Sequence, residues 1–248
     1  MIIAHLIYDT NSLLACSLTC HSWYAASVPH LHHTLVIRAR QWPYGPEREW
    51  PNPLRSAGKL GLLPLVKKFR VQSVGRVNYG FYPKLFNYRI LRHFCALTNV
   101  RELAIADLDI PNFIPMIQRY FGHFFPTLRS LSLRAPKGSR RQLIFFIGLF
   151  QHLEDLTLTD GTLEPWESEP VDDMSLIPPF SPSLRGRLFM FRFTRVGLVK
   201  EMVDLFVELR FRHMVLYDVD GTRLLLDACA KTLETLLLHP TDPRGEQL

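Results

Sequence analysis

The sequence has little that would tie it to a membrane, a secretory route or a disulfide framework. Its longest uninterrupted apolar run is Leu143–Phe150, whereas a helix needs about 20 residues to cross a bilayer. Only four of the 248 residues are cysteines, which is typical of free thiols in a reducing compartment. The N-terminus lacks the basic stretch and cleavage site of a signal peptide. We therefore expect a soluble protein of the cytoplasm or nucleus.

Motifs for catalysis are also absent. The sequence contains no GxSxG, GxxxxGK[ST], HExxH or GxGxxG pattern. Cys16, Cys20 and His21 are residue types that bind zinc. Structural zinc sites usually have two-residue spacing between their cysteines, whereas Cys16 and Cys20 are four positions apart on a predicted apolar helix. No base or orienting group can be named beside either thiol, so a cysteine nucleophile is not expected. We predict a protein that is not an enzyme and has no catalytic residue, cofactor or metal ion.

The sequence has enough apolar residues to form a large folded core. Apolar residues make up 47% of the chain, which is well above the range of disordered proteins. The net charge is +6, but the basic residues are spread along the chain instead of forming a stripe or tail. Direct nucleic-acid binding is therefore not expected.

The segment Ser12–Tyr24 is apolar and free of charged residues. On one continuous helix, Leu13, Cys16, Cys20, Trp23 and Tyr24 fall on one side, while Leu14 and Leu18 fall on another. Two apolar stripes need two surfaces to bury against. One can be the core of the protein and the other a partner; alternatively, the whole helix is interior.

From residue 66 onward, one spacing recurs: apolar, two others, apolar, one other, apolar. Copies begin at residues 66, 100, 128, 153, 211 and 233, and the gap after 153 leaves room for an imperfect copy with Leu184, Leu188 and Phe191. Each copy ends in the alternation of a short strand. Helical patterns lie between the copies, over 84–97, 113–125, 142–153, 198–209 and 222–233. An ordinary α/β domain with chance matches is the alternative to stacked repeats.

These patterns predict an α/β protein in which a short N-terminal helical module, residues 1–40, precedes an irregular solenoid of parallel strands and helices. Residues 41–65 are rich in proline and glycine and form the predicted connection, and residues 66–248 form the predicted arm. An acidic, proline-rich loop is predicted at residues 161–183, as a solvated loop or a contact site.

The basic segment at residues 134–141 lies directly before a predicted helix. Helix N-termini attract anions, so an acidic ligand there is one hypothesis and a solvated turn the other. The candidate contact residues are Arg134, Lys137, Arg140 and Arg141.

The N-terminal segment SLLACSLTCHSWYAASVPHLHHTLVI resembles the second half of the F-box motif, as found in fungal F-box proteins. The matching positions are Leu13–Leu18, Cys20, Trp23, Pro29–Leu31 and Thr34–Ile37. The repeats behind it look like the leucine-rich-repeat-like arm of many such proteins. Two positions depart from the family pattern: Thr19 replaces an aliphatic residue and His32 an aromatic one. The match starts inside the first helix of the motif, so we expect a motif truncated at its N-terminus.

The resemblance implies a non-catalytic substrate receptor of a Skp–cullin–F-box ubiquitin ligase. The F-box would bind the Skp adaptor and, through it, the cullin ligase, while the arm would bind a still unknown protein substrate. The adaptor-binding positions carried over from the family are Leu13, Leu14, Leu18, Cys20 and Trp23. The alternative is a stand-alone repeat scaffold whose N-terminal helices are a degenerate cap that binds no adaptor.

Overall fold

A computed structural model describes residues 5–6, 9–40, 53–74, 96–108, 110, 127–163, 182–193, 197–206 and 209–239. The predicted α/β class is confirmed: six α-helices accompany an eight-stranded parallel sheet in this part of the chain. The predicted helices over 84–97 and 113–125 lie outside the described residues, apart from Ala96 and Leu97. Most of the predicted acidic loop, at 164–181, also lies outside them.

The chain begins with two short helices, α1 (Thr10–Ser17) and α2 (His21–Leu31), which pack against each other. The single continuous helix predicted for Ser12–Tyr24 is therefore wrong. Helix α1 ends at Ser17 and α2 begins at His21, so the residues beyond Ser17 do not continue the helical wheel of α1. The resemblance to the F-box motif also implied two short helices with a break near Cys20–Ser22; two helices are present, and the break lies slightly earlier, at Leu18–Cys20.

Strand order in the main sheet follows chain order without exception: β1, β2, β3, β4, β6, β8, β9, β10, every neighbouring pair parallel. The strands are β1 (Thr34–Arg40), β2 (Lys68–Val74), β3 (Glu102–Ala106), β4 (Ser130–Arg134), β6 (Asp155–Thr159), β8 (Arg187–Phe193), β9 (His213–Val219) and β10 (Thr235–His239). A second, two-stranded parallel sheet joins β5 (Lys137–Gly138) to β7 (Thr162–Leu163).

Four further helices lie among the strands, together with a 3-10 turn at Leu63–Leu65. They are α3 (Pro53–Lys59), α4 (Arg140–Ile147), α5 (Gly197–Leu205) and α6 (Thr222–Cys229). The last three helices were predicted from the apolar periodicity, with C-terminal ends that were several residues too long. Helix α4 packs against α5, and α5 against α6.

The recurring apolar spacing marks the core correctly for the first five copies. All three apolar positions are buried in the copies that begin at residues 66, 100, 128, 153 and 211. Within each strand the alternate side chains are partly exposed, so one face of the sheet packs on the core and the other meets solvent. Helix α4 adds the apolar run that starts at Leu143 to the same core.

Two details of the repeat prediction are wrong. In the imperfect copy, Met190 is the buried partner of Leu188, and Phe191 lies on the opposite, partly exposed face. In the last copy, Leu236 and Leu238 are 37% and 46% exposed instead of buried, because β10 is the edge strand of the sheet.

A ladder of backbone hydrogen bonds joins the residues that precede the strands. The carbonyl of His33 accepts the amides of Lys67 and Lys68, and the Lys67 carbonyl accepts those of Arg101 and Glu102. The carbonyls of Arg101, Arg129, Gly186 and Arg212 each accept two successive amides in the same way, and the Glu154 carbonyl accepts the Gly186 amide. Each strand is therefore held by the strand before it, from β1 to β10.

Five neighbouring strands of the main sheet, β3, β4, β6, β8 and β9, share a left-handed residue. In each strand it comes directly after one register position, which is occupied by Ala106, Arg134, Thr159, Phe191 and Tyr217. The φ angles lie between 49° and 56° at Asp107, Ala135, Asp160, Arg192 and Asp218. Non-glycine residues rarely adopt this conformation, and aspartate is among those that do so most readily. The left-handed residue directly follows β3, β4 and β6 and is the second-last residue of β8 and β9, so the five strands share a backbone feature at one register position.

Ala135 is the residue of this series whose replacement by glycine should stabilise the protein most. A left-handed alanine costs about 1–2 kcal/mol, and glycine loses about 0.5–1 kcal/mol more on folding, so Ala135→Gly should stabilise the protein by about 0.5–1 kcal/mol. Ala104→Gly, inside β3 at an ordinary φ, is the matched control and should destabilise it by about 0.5–1 kcal/mol. Urea unfolding followed by circular dichroism measures both changes. Equal effects of the two substitutions would contradict the assignment of backbone strain to Ala135.

Candidate functional site

The side chain of Asp9 caps helix α1 at its N-terminus. Asp9 accepts hydrogen bonds from the hydroxyl of Ser12 at 2.5 Å and from its amide at 3.1 Å. The Ser12 hydroxyl, and then its amide, lower the pKa of Asp9. Because the folded-state pKa is lowered, this cap is present above the usual aspartate pKa and is lost as the pH falls through the lowered value. The start of α1 is thus fixed at neutral pH.

The five positions carried over from the F-box motif differ sharply in exposure. Leu13 is 1% exposed, so it offers no surface to a partner. Leu14 and Leu18 are 48% and 87% exposed. Trp23 and Cys20 are exposed on α2 and at its N-cap, respectively.

Four of the ten exposed large apolar side chains among the described residues lie on these two helices or at the C-cap of α1. We call Leu14, Leu18, Trp23 and Tyr24 the helical patch. Isolated exposed leucines are common on proteins, but large apolar and aromatic side chains on adjoining helices are typical of an interaction surface. Tyr24 was placed on an apolar face by the sequence but was not among the positions carried over from the family.

No group of three or more metal-binding side chains comes together in the described ranges. Cys16 is partly buried on α1, and Cys20 is exposed before α2. Cys229, on α6, is buried; desolvation raises the pKa of its thiol, which lies 3.7 Å from the Leu209 carbonyl oxygen.

This difference predicts the order of thiol reactivity, because the thiolate is the attacking species. In the native protein at pH 8, we expect the disulfide reagent DTNB to modify Cys20 within minutes and Cys229 at least about tenfold more slowly, because burial both raises its pKa and blocks access. Peptide mapping of the modified cysteines measures the two rates. Modification of Cys229 should reach the rate of Cys20 in denaturant, and an equal rate in the native protein would contradict its burial.

Of the four basic residues of the predicted anion site, Arg140 and Arg141 are the first two residues of α4. Ser139 caps this helix: its hydroxyl accepts the Gln142 amide at 3.2 Å, and Gln142 accepts the Ser139 amide at 2.9 Å. Lys137 lies in β5, and the guanidinium of Arg140 fills the space beside Gly197 of α5. Arg134 is exposed on the sheet. The acidic ligand at this helix stays a prediction.

A shallow depression of about 310 Å³ lies near the start of β3 and β4. It is lined by Arg101, Thr127, Arg129 and His152. Arg129 is paired with Glu154, and the hydroxyl of Thr127 donates to the Val100 carbonyl at 2.9 Å. Two of the four lining side chains are thus committed to contacts within the protein.

The partly exposed face of the main sheet, which we call the open face, carries an ordered change in chemistry from one side to the other. Two of its rows, read along the register from the N-terminal to the C-terminal strands, are Arg70, Ala104, Ser132, Thr157, Phe189, Val215 and Leu237, and Ala106, Arg134, Thr159, Phe191, Tyr217 and His239. In both rows an arginine lies toward the N-terminal strands, small residues lie beside it, and aromatic or large aliphatic residues lie toward the C-terminal strands.

The aromatic residues at the far side of the open face contact one another. The ring of Tyr217 lies 5.9 Å from Phe189 and 5.6 Å from Phe191, and it stacks on His239 at 4.0 Å. Such contacts hold the rings in place at a low cost in side-chain freedom. This cluster was not among the predicted sites, although the phenylalanines at alternate positions of RLFMFRF were a visible signal.

Neither protein-family models nor curated proteins give a match to this sequence. The helices of the described part are too short or too polar to cross a membrane.

Proposed function

We propose that this chain is the non-catalytic substrate-recognition subunit of a Skp–cullin–F-box E3 ubiquitin ligase. Its N-terminal helices, α1 and α2, would form an F-box-like module that binds the Skp adaptor. The observation that carries the proposal is the exposure of Leu14 and Leu18 in a segment whose sequence resembles the F-box motif.

The exposed leucines favour a docking module over a degenerate cap. A terminal cap of a repeat stack presents a polar outer face, because its task is to end the apolar core. Leu18, at 87% exposure, does the opposite. Burial of a fully exposed leucine is worth about 1.5–3 kcal/mol, so a partner that covers Leu18 gains substantially from this side chain.

The strand order supports a leucine-rich-repeat-like arm as the second half of the proposal. The main sheet has the properties of stacked units. Its parallel strands follow chain order, a hydrogen-bond ladder joins the residues before them, and a left-handed residue recurs at one register position in five of them. The exposed edge strand β10 fits the end of such a stack.

Strand β1 provides the physical link between the proposed module and the proposed arm. It directly follows α2 and is the first strand of the main sheet, with Leu35 paired to Phe69 and Ile37 to Val71. A receptor of this kind accelerates ubiquitin transfer by raising the effective concentration of its substrate near the loaded enzyme.

Co-purification with the Skp adaptor is the experiment that tests this function. The full chain should form a stoichiometric complex that survives size-exclusion chromatography. The complex should capture a cullin only when the adaptor is present. Failure of the full chain to capture the adaptor would refute the ligase proposal and leave the stand-alone scaffold. That scaffold predicts aggregation when residues 1–40 are deleted, since the first repeat would then be uncapped.

A further inference from the structure

We propose that the open face binds an extended, acidic segment of the substrate, with an apolar side chain on the aromatic cluster and a carboxylate on Arg134. The inference rests on the proposed function, because it names the class of substrate that the arm would recruit. It follows from the order of side chains across β2 to β10.

Within the described part of the chain, some cations of the open face have ion-pair partners and others do not. In the row at the start of the strands, Lys68 lies 2.8 Å from Glu102, and Arg187 lies 3.2 Å from Asp155. These cations are neutralised within the protein. Further along the same face, Arg70 and Arg134 are exposed, and neither makes an ion pair within the described part of the chain.

Nearby acidic residues leave the charge of Arg134 available. Asp160, directly after β6, pairs with Arg192 at 4.0 Å and makes no ion pair with Arg134. Asp107, at the end of β3, makes no ion pair with Arg134, although its amide donates to the Arg134 carbonyl at 2.7 Å. An arginine in this state favours a carboxylate partner, which its planar fork can hold with two hydrogen bonds.

The residues between the arginines and the aromatic cluster are small. Ala104, Ser132 and Thr157 separate Arg70 from Phe189 in one row, and Thr159 separates Arg134 from Phe191 in the other. Small side chains let the backbone of a bound segment approach the sheet. The aromatic cluster then provides the apolar contact, with Val215 and the exposed Leu237 beside it.

Strand spacing sets the distance between the two contacts. Neighbouring strands lie about 4.8 Å apart, so Arg134 on β4 is about 10 Å from Phe191 on β8 and about 14 Å from Tyr217 on β9. An extended peptide advances about 3.3 Å per residue. The bound segment should therefore carry its acidic residue three to four positions from its apolar residue. A second acidic residue, about six positions from the apolar one, would reach Arg70.

Selection from a phage-displayed library of random 12-residue peptides tests the proposal on the immobilised full chain, without adaptor. Enriched peptides should pair an aromatic or aliphatic residue with Asp or Glu three to four positions away. Fluorescence anisotropy of one labelled peptide should show about fivefold weaker binding to Arg134→Gln, as expected for loss of one exposed ion pair. Leu237→Ser should weaken the same peptide about threefold by reducing the apolar contact.

Arg223→Gln is the matched control, because Arg223 is an exposed cation on α6 rather than on the sheet. It removes the same charge and should leave binding unchanged. Selection of no peptide, of peptides without an acidic residue, or of peptides that bind Arg134→Gln as well as the unaltered chain would overturn the proposal. Tight binding of a labelled 20-nucleotide oligothymidine that is lost in Arg134→Gln would also overturn it, because the face would then be a nucleic-acid surface. Adaptor capture is measured separately, so a chain that binds the adaptor but selects no such peptide refutes only this inference.

Discussion

The double substitution Leu14→Asp/Leu18→Asp should abolish capture of the Skp adaptor, with a loss of affinity of at least about 100-fold. The two leucines are the most exposed apolar side chains of α1, at 48% and 87%. Their burial against a partner contributes up to about 1.5–3 kcal/mol for a fully exposed leucine, and less for the half-exposed Leu14. A buried, unpaired carboxylate in their place adds a desolvation cost of a further few kcal/mol. A factor of 100 in affinity corresponds to about 2.7 kcal/mol, which the two changes together exceed.

The fold should tolerate the same change, since both side chains face solvent. Leu205→Asp on α5 and Leu224→Asp on α6 are matched controls, because these leucines are 43% and 40% exposed but lie away from the helical patch. Isothermal titration calorimetry with purified adaptor measures the affinities, and circular dichroism checks the helices. If the controls weaken binding as much as the double variant, adaptor binding does not depend on the helical patch.

The main sheet could be predicted from the sequence wherever local pattern decides the outcome. The triplet Leu128, Leu131 and Leu133 is a clear example. Leu131 and Leu133 alternate as on one face of a strand, which predicts that this face is buried together with Leu128. The structure buries all three side chains. Each triplet carries its own information, so five strands were placed correctly without knowledge of their neighbours.

The sequence-based predictions are wrong where neighbouring strands determine which side chains are buried. Phe191 was assigned to the core because the segment RLFMFRF is apolar on both faces, and only the pairing of Leu188 with Leu156 and Met214 shows which face is inside. Leu236 follows the same pattern as Leu131 but lies in the edge strand, where no strand of the described chain covers it.

The candidate sites were predictable to different degrees. The exposure of Leu18 could not be read from a single helical wheel, because no glycine or proline marks the end of α1 at Ser17. The open face depends on residues from strands that are far apart in sequence, such as Arg70 and Tyr217, which only the parallel pairing brings into one surface. Local patterns thus find the core, whereas surfaces assembled from several strands need the register.

Phe146→Ala should destabilise the protein by about 3–5 kcal/mol, which is a large part of the 5–15 kcal/mol typical of a folded domain. Phe146 is fully buried on α4, in the core shared with the main sheet. Its ring meets Phe150 edge to face, with ring centroids 5.4 Å apart. Alanine leaves a cavity that the strands cannot close, because each is tied to both neighbours by parallel ladders.

Comparison with Phe146→Leu and Phe150→Ala separates cavity formation from the loss of the ring contact. Leucine retains most of the apolar volume, so Phe146→Leu should cost less than half as much as alanine. In a double-mutant cycle, Phe146 and Phe150 should show a coupling of about 0.5–1.5 kcal/mol. Urea denaturation monitored by far-ultraviolet circular dichroism gives these values. A cost below about 1 kcal/mol for Phe146→Ala would mean that α4 does not pack on the sheet as the structure has it, and it would remove the physical basis for treating α4 and the parallel strands as one cooperative core.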